Sequence, residues 1–446
     1  MIVPRNQLLI WTALIAPPFA LLGATGSAGA ALAVVAVGAL GVAAIADAVR
    51  TRHRLDGVSV VLPPIARMSK DRDAKIDLQV RNAHPGSRRL RIGLAWPADI
   101  GSPHETMEVM LPENAAAAHF SWPCRPRQRG SYPLNAVYLE VDSPLGFWSL
   151  RRTLPARGEI RVYPNLIEER RKLSALFLNR GAYGTHAQRH VGKGHEFEKL
   201  REYVAGDGYD DIHWKTTAKR GRPVTKVFQV ERTQEVYVAI DISRLSARPV
   251  PRGEDAPPAP ALEQYLTAAL ALGLAAEQQG DLFGLLVFGD KVGKFVRARN
   301  GAAHYNACRD SLYTLQPQLV SPDFDEVCTF IRLRMRRRTL LVFITALDNP
   351  ELAAGFVKNV DLIRRQHLVL VNMLQPPGVA PLFSSDDVAA ADDLYQRLGG
   401  HLAWQELREL EKVLQRRGVH FSLLKNERFS ADLVSQYLRV KQRQLL

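Results

Sequence analysis

Two long apolar runs at the amino terminus constrain this chain more than any other feature of its sequence. The first, QLLIWTALIAPPFALLG, spans residues 7–23, and the second, SAGAALAVVAVGALGVAAIA, spans residues 27–46. Neither contains a charged residue, and each is close to the roughly 20 residues that a helix needs to cross a bilayer. A signal peptide would account for one apolar run but not for the second. The sequence therefore predicts a transmembrane helical hairpin over residues 1–50, with a buried hairpin in a soluble domain as the alternative.

The charges that flank the two runs predict their orientation. Arg5 precedes the first run, and Arg50, Arg52 and Arg54 follow the second. The link between the runs, ATGSAG, carries no positive charge. Because positively charged flanks stay on the cytoplasmic side, we expect both ends of the hairpin, and the soluble remainder of the chain, in the cytoplasm.

The chain has 446 residues and a formal net charge of +14, which favours anionic partners. Part of this excess is concentrated in RLRMRRR, residues 332–338, at the end of a predicted helix, where arginines also suit the helix dipole. Anionic lipid, an acidic partner and a merely solvated face all remain open for this run. Nucleic acid is not expected as a partner, because no aromatic residues lie between the arginines. The three cysteines, Cys124, Cys308 and Cys328, lack metal-ligand spacing and fit free thiols in a reducing compartment.

In the rest of the chain, the pattern of apolar and polar residues changes at two points. Residues 51–165 contain short alternating runs such as AKIDLQV and LRIGLAW, separated by turn sequences, which is typical of an antiparallel β-sandwich. Residues 166–234 form a polar connector. Residues 235–446 alternate apolar strands with helices, which predicts an α/β domain with a mostly parallel sheet. The chain contains no GxxxxGK[ST] phosphate loop, so we expect no intrinsic ATPase activity.

The connector contains the motif that links this chain to a known family. GHEFEKLREYVAGDGYDDIHWKTTAKR, which begins at Gly194, closely resembles G-x-E-F-x-x-L-R-x-Y-x-x-G-D followed by I-D-W-K-x-x-A-R. This is the hallmark of a bacterial family known as domain of unknown function fifty-eight. The stretches RGSYP, SPLGFW and VYPN in the β-rich region resemble the same family. The hallmark positions that we single out here are Glu196, Arg201, Tyr203, Gly206, Asp207, Trp214 and Lys215.

We interpret the hallmark as a structural joint or a partner-docking surface. In this interpretation Arg201 and Lys215 pair with Glu196 or Asp207, while the hallmark aromatic residues Tyr203 and Trp214 pack at the domain edge. A hydrolase that uses Glu196, Asp207 and His213 is the alternative. Two departures weigh against it, because Gly208 and His213 stand where the family usually has acids.

The α/β region resembles the von Willebrand factor type A fold, in which a D-x-S-x-S metal site follows the first strand. Asp241 and Ser243 match this pattern, whereas Leu245 at the third position cannot bind a metal. Asp348, at the end of a later strand, is the third candidate ligand. The resemblance implies a degenerate, MIDAS-like site that would take Mg²⁺, since carboxylate and hydroxyl oxygens suit this cation. Alternatively, Asp241 caps the following segment and Ser243 forms local hydrogen bonds.

The family resemblance implies a non-enzymatic adaptor in the bacterial inner membrane. It also implies a partner, a MoxR-type AAA+ ATPase, with which the adaptor would remodel or activate client proteins. The surface that recognises the client would lie around Asp241, Ser243 and Asp348. A structural or envelope-associated scaffold without an ATPase partner is a further alternative.

Overall fold

The computed structural model describes residues 1–24, 27–83, 88–111, 117–181, 196–204, 207–229, 234–251, 257–382 and 391–443. The chain divides into two compact units, Met1–Asn165 and Leu166–Leu446. The division falls where the sequence places the end of the β-rich region, and the other domain boundaries stay predictions.

The amino-terminal unit consists of two helices and two sheets. The helices are α1 (Asn6–Gly23) and α2 (Ser27–Thr51). The strands are β1 (Ile2–Pro4), β2 (Val58–Val61), β3 (Ile65–Ser69), β4 (Ala74–Asn82), β5 (Arg88–Leu94), β6 (Ile100–Gly101), β7 (Thr106–Leu111), β8 (Ala117–Pro126), β9 (Gly130–Asp142) and β10 (Trp148–Tyr163). One sheet has the order β1-β10-β9-β5-β7, with β3 parallel to β10, and the other has the order β2-β4-β8-β6.

One apolar core joins the two sheets of this unit. Side chains alternate between the two faces of a strand, so Ile76 and Leu78 of β4 point to one face and are buried there. Leu90 and Ile92 of β5 and Trp122 of β8 belong to the same buried cluster. Because β5 lies in the first sheet while β4 and β8 lie in the second, the cluster includes residues of both sheets. The β-sandwich itself stays a prediction.

Helix α2 is long and apolar enough to cross a membrane over residues Ala28–Thr51. Among the described residues it is the one helix that meets this criterion. Helix α1 is a shorter apolar helix, with Pro17 and Pro18 in its interior. The transmembrane hairpin of two helices and its cytoplasmic orientation therefore stay predictions.

The last turns of α2 pack on the β-rich part of the unit. Asp47 is buried and accepts a hydrogen bond from the amide of Leu145 at 3.1 Å. The indole N–H of Trp148 donates to the carbonyl of Ala44 at 2.9 Å. These two contacts fix the last turns of α2 to the β-rich part of the unit, close to the end of the uncharged run.

The carboxyl-terminal unit contains two further sheets and most of the helices. Its strands are β11 (Glu196–Glu202), β12 (Val224–Gln229), β13 (Glu235–Asp241), β14 (Pro249–Val250), β15 (Ala259–Pro260), β16 (Leu282–Phe288), β17 (Val292–Arg299), β18 (Leu340–Ile344), β19 (Leu368–Leu374) and β20 (His420–Leu424). Its helices are α3 (Ile167–Gly181), α4 (Trp214–Arg220), α5 (Ala261–Gln278), α6 (Ala302–Leu312), α7 (Phe324–Arg334), α8 (Pro350–Asn359), α9 (Ala391–Arg416) and α10 (Phe429–Gln442).

The main sheet of this unit has the order β17-β16-β13-β18-β19-β20. All neighbouring strands are parallel except β17, which runs antiparallel to β16 at the edge. Buried clusters cover both faces, which explains why β13, β16, β18 and β19 are apolar at successive positions. The strand order reverses between β13 and β18. In sheets of this kind ligands bind at the carboxyl ends of the strands at that switch point.

The sequence did not predict every strand of this unit. The polar connector contains an antiparallel hairpin of β11 and β12, with α4 between the strands. The edge strand β17 also lay outside the sequence expectation. Both are amphipathic and rich in charged residues, so neither shows the continuous apolar pattern of the central strands.

Gly284 provides a test of packing in the main sheet. A Cβ atom at this position would lie 2.4 Å from Cε1 of Tyr237 and 2.8 Å from the backbone oxygen of Val296. We expect Gly284→Ala to lower the free energy of unfolding by about 1–3 kcal/mol, because a backbone atom cannot move aside cheaply. The matched control is Gly355→Ala in α8, where a Cβ meets nothing within 4 Å. This change should stabilise by about 0.5–1 kcal/mol, since alanine favours a helix over glycine.

Thermal unfolding of the full chain in detergent would measure both effects. Equal midpoints for the two alanine variants would contradict the packing described for β16.

Candidate functional site

The hallmark forms a small hydrogen-bonded assembly around Asp207. The guanidinium of Arg201 donates to Oδ1 of Asp207 at 2.6 Å. Oδ2 of the same carboxylate accepts from the amide of Val204 at 3.1 Å and from the hydroxyl of Thr225 at 3.3 Å. Since Arg201 lies on β11 and Thr225 on β12, the carboxylate ties the loop after β11 to both strands of the hairpin.

These contacts also set the ionisation of Asp207. The Val204 amide and the Arg201 guanidinium hold the pKa of the Asp207 carboxyl below its usual value. The carboxylate is therefore a stable anion at neutral pH with its oxygens already engaged, which suits a structural role better than acid–base catalysis.

The remaining hallmark residues include two corrections to the sequence interpretation. His213 caps α4, where its Nδ1 accepts a hydrogen bond from the amide of Thr216 at 3.1 Å. Trp214 follows at the start of the helix and is 67% exposed rather than packed at a domain edge. Lys215 is also exposed, and it forms no ion pair among the described residues. The reason is local, because α4 is a short helix with no buried residues. Gly206 and the side chain of Glu196 lie outside the part of the chain that the structure describes.

Three apolar side chains of the hallmark segment face solvent. Val204 is 57% exposed, Tyr209 is 76% exposed, and Trp214 adds the largest apolar surface. Tyr203 packs beside Tyr209, with 6.4 Å between the ring centroids. We call Val204, Tyr209 and Trp214 the hallmark patch. Exposed aromatic residues of this size are typical of protein-binding surfaces.

A second group of polar residues lies at the switch point of the main sheet. Asp241 ends β13 and is fully buried. Its Oδ1 accepts from the amide of Ser243 at 2.8 Å, and its Oδ2 accepts from the hydroxyl of Thr345 at 2.6 Å. Thr345 follows β18, so this carboxylate connects the carboxyl ends of two neighbouring strands. Burial raises the pKa of Asp241, while the Thr345 and Ser243 hydrogen bonds oppose that shift.

The serines and Asp348 have their own partners. Ser243 and Ser246 are fully buried, and the Ser246 hydroxyl donates to the Ser243 carbonyl at 2.8 Å. Asp348 forms an ion pair with Arg248, and both side chains reach the surface. Neither Thr345 nor Arg248 was singled out from the sequence. Thr345 could have been found from its place after a buried strand, whereas the Arg248–Asp348 pair joins residues far apart in sequence.

The residues proposed as Mg²⁺ ligands do not fit a resident cation in this arrangement. Each oxygen of Asp241 accepts a hydrogen bond from the protein, and Oδ2 of Asp348 pairs with the Arg248 guanidinium, which leaves Oδ1 of Asp348 as the one candidate ligand oxygen of these two carboxylates without a hydrogen-bond partner. No group of three or more His, Cys, Asp or Glu side chains suited to a metal occurs within the described residues. A hard cation needs several free oxygen ligands, so Arg248 would first have to leave Asp348.

A cavity of about 290 Å³ opens beside this group at the carboxyl edge of the sheet. Ala346, Leu374 and Lys425, which follow or end β18, β19 and β20, line one side of it. Arg248 and Tyr265 line another. The cavity is mostly apolar with charged groups at its rim, a composition common to sites that bind a ligand or an apolar side chain.

Comparison with known proteins agrees with the hallmark. A family model described as "Protein of unknown function DUF58" matches residues 199–380. This part of the chain is similar to the DUF58 family. The match runs from β11 to beyond β19, so it includes the hallmark patch and the Asp241 loop, and it confirms the resemblance stated from the sequence. No curated protein matches the chain.

Several solved structures are similar to about half of the chain. A conserved hypothetical protein BatB from Bacteroides thetaiotaomicron is 15% identical over 47% of this chain and 99% of its own, with a TM-score of 0.32. An aerotolerance-related membrane protein from Bacteroides fragilis is 15% identical over 47% and 99%, with a TM-score of 0.30. The VWA domain of SpRpn10 is 11% identical over 46% and 95%, with a TM-score of 0.29. These likenesses carry no argument about function, and the fold rests on the strand order described above.

The Asp207 assembly predicts an acid-sensitive contribution to stability. Asp207→Asn should lower the thermal midpoint at neutral pH, because Arg201 loses its anionic partner. A carboxyl with a lowered pKa stabilises above its unfolded pKa, and this contribution is lost as pH falls through the folded pKa. The difference between wild type and variant should therefore shrink in acid. Glu202→Gln is the control, since its ion pair with Arg222 is exposed at 3.3 Å and contributes little. A gap that persists unchanged in acid would contradict the assignment.

The Asp241 group predicts the response to Mg²⁺. We expect Mg²⁺ to leave the thermal midpoint of wild type unchanged, because no ligand set is free to bind it. A cation at a hundred times its dissociation constant would instead stabilise by about 2.7 kcal/mol. A calorimetric titration and a thermal scan would measure this, with Asp241→Asn as the matched variant. A Mg²⁺-dependent rise in wild type that disappears in Asp241→Asn would restore the metal hypothesis.

Proposed function

We propose that this protein is a non-enzymatic, membrane-anchored adaptor that links client proteins to a MoxR-type AAA+ ATPase. The observation that carries the proposal is that the acidic and basic groups of this protein already form hydrogen bonds within it. Asp207 is held by Arg201, Asp241 by Thr345, and His213 caps a helix. A general base needs a free lone pair directed at a substrate, so Asp207 and His213, two of the residues of the hydrolase alternative, favour a binding role instead.

An adaptor needs two separate surfaces, and the carboxyl-terminal unit offers two. The hallmark patch suits the ATPase, because the hallmark is what this chain shares with its family and the ATPase is the partner implied for that family. The cavity beside Arg248 suits the client, since an apolar side chain can fill it while Arg248 and Lys425 contact the flanking backbone or acidic groups.

The proposed client surface differs slightly from the one expected from the sequence. Asp241 and Ser243 are fully buried and cannot touch a client, whereas Asp348 and Arg248 reach the surface. The buried residues Asp241 and Ser243 support the surface at the carboxyl ends of the strands. The energy for remodelling comes from the ATPase, because this chain lacks a phosphate-binding loop. The hairpin of α1 and α2 anchors the adaptor in the inner membrane, with the β-rich part of the first unit and the whole carboxyl-terminal unit in the cytoplasm.

The test is co-purification of the full chain from native membranes after crosslinking. Wild type should recover an AAA+ ATPase, and the double variant Tyr209→Ala/Trp214→Ala should lose most of it, because buried aromatic anchors dominate such interfaces. Leu319→Ala is the matched control, since Leu319 is 92% exposed and lies outside the hallmark. A photo-crosslinker in place of Lys425 should still capture clients from the double variant.

Recovery of the ATPase at equal levels with the double variant, or its absence from wild type, would contradict the adaptor proposal. Loss of the ATPase from Leu319→Ala as well would assign the interaction to a different surface.

A further inference from the structure

A dense group of arginines lies at the end of the main sheet where its parallel strands begin. We call this group the basic end. Its members are Arg299, Arg332, Arg334, Arg336, Arg337, Arg338 and Arg365. All are exposed. They come from β17, from the end of α7 and the loop after it, and from the segment before β19, so the fold gathers charges from three places in the sequence.

Backbone pairing places these residues at one end of the unit. Arg299 lies opposite Phe283, near the start of β16, because β17 is antiparallel to β16. Residues 336–338 lead directly into β18. The side-chain amide of Gln366 donates to the carbonyls of Met335 and Arg336, at 3.2 and 2.7 Å, which brings Arg365 beside the same loop.

Little negative charge offsets this group. Glu235 approaches Arg337 at 4.0 Å. Asp361, the nearby acid before β19, is already shared by Arg364 and Arg417. Within the residues that the structure describes, no ion pair involves four further members of this group: Arg332, Arg334, Arg336 and Arg365. The basic end therefore presents a net positive field to solvent.

Helix energetics explain only part of the group. Arg332 and Arg334 lie in the last turn of α7, where cations suit the helix dipole, and Arg334 lies over the ring of Phe330 at 5.9 Å. The next three arginines follow the C-cap residue Met335 and gain nothing from the dipole. Leu333, in the middle of the group, is 70% exposed. An apolar side chain surrounded by guanidinium groups is typical of a surface that contacts lipid headgroups.

We propose that the basic end docks the carboxyl-terminal unit on an anionic phospholipid surface. Guanidinium groups bind phosphate with paired hydrogen bonds, and Leu333 would enter the boundary between headgroups and acyl chains. Lipid is favoured over an acidic protein because α2 of the same chain is long and apolar enough to cross a bilayer. A tethered unit meets its own membrane at a high effective concentration. This inference does not depend on the ATPase or on a client.

The experiment uses the full chain reconstituted in vesicles, with an environment-sensitive fluorophore on Leu333→Cys. The native thiols should not react, because Cys124, Cys308 and Cys328 are buried and burial raises their pKa values to about 11, 12 and 12. The control label is Leu319→Cys at the opposite edge, where Gln318 donates to the carbonyl of Ile242 after β13.

With phosphatidylglycerol in the vesicles, the label at position 333 should shift to the blue and be quenched by a headgroup quencher. Pure phosphatidylcholine should give neither effect. High salt should reverse docking, since the screening length falls from about 8 Å at physiological ionic strength to about 3 Å at 1 M. The label at position 319 should not respond to lipid charge.

Charge variants then separate a specific surface from net charge. Arg332→Gln/Arg334→Gln/Arg336→Gln should lower the ratio of docked to undocked unit about a hundredfold, at about fivefold per cation. Arg244→Gln/Lys291→Gln/Lys425→Gln removes the same charge from the carboxyl edge and should leave the ratio unchanged.

Equal responses of the two triple variants, or a response of position 333 to phosphatidylcholine alone, would overturn the proposal. So would capture of the basic end by a protein in native membranes when pure anionic vesicles give no response, because this outcome would assign the surface to an acidic protein partner.

Discussion

The carboxylate of Asp241 is the interaction on which the rest of the carboxyl-terminal unit depends. It is a fully buried acid at the point where the strand order reverses, and it holds the end of β13 to Thr345 after β18. Its second oxygen fixes the turn through the amide of Ser243. A buried carboxylate is costly without partners, and these two hydrogen bonds offset the cost only in this geometry. The switch point is thereby fixed in one arrangement, which gives the neighbouring cavity a defined shape.

The hallmark uses polar residues in the same way. Asp207 joins the loop after β11 to both strands of its hairpin, and His213 begins α4. The short helix then leaves Trp214 exposed to solvent, as Tyr209 is. In both places the charged residues that resemble catalytic groups position a loop, and the surface left over is apolar. This division of roles supports the binding function that we propose for these sites.

How far the sequence predicts this structure depends on the kind of pattern that each element leaves. Strand β13 has the bounds expected from EVYVAID, because a strand buried on both faces is apolar at every position. The β11–β12 hairpin has no such pattern, and its polar side chains make it resemble a connector. Asp241 and Ser243 could be singled out from their place after a strand. Their burial and the Arg248–Asp348 pair could not, since both depend on contacts between distant segments.

The two ends of the main sheet differ in surface charge. Helix α7 contributes residues to both ends. It is capped by Asp323 and has Asp325 and Glu326 in its first turn, and it ends with Arg332 and Arg334 in its last. The dipole favours both placements, so helix stability and surface charge select the same residues here. Residues 336–338 lie beyond the helix, so helix stability does not explain the positive charge that they add. A cation cluster that exceeds its structural requirement, at the edge away from the cavity, lets one unit contact a lipid surface and a protein partner at the same time.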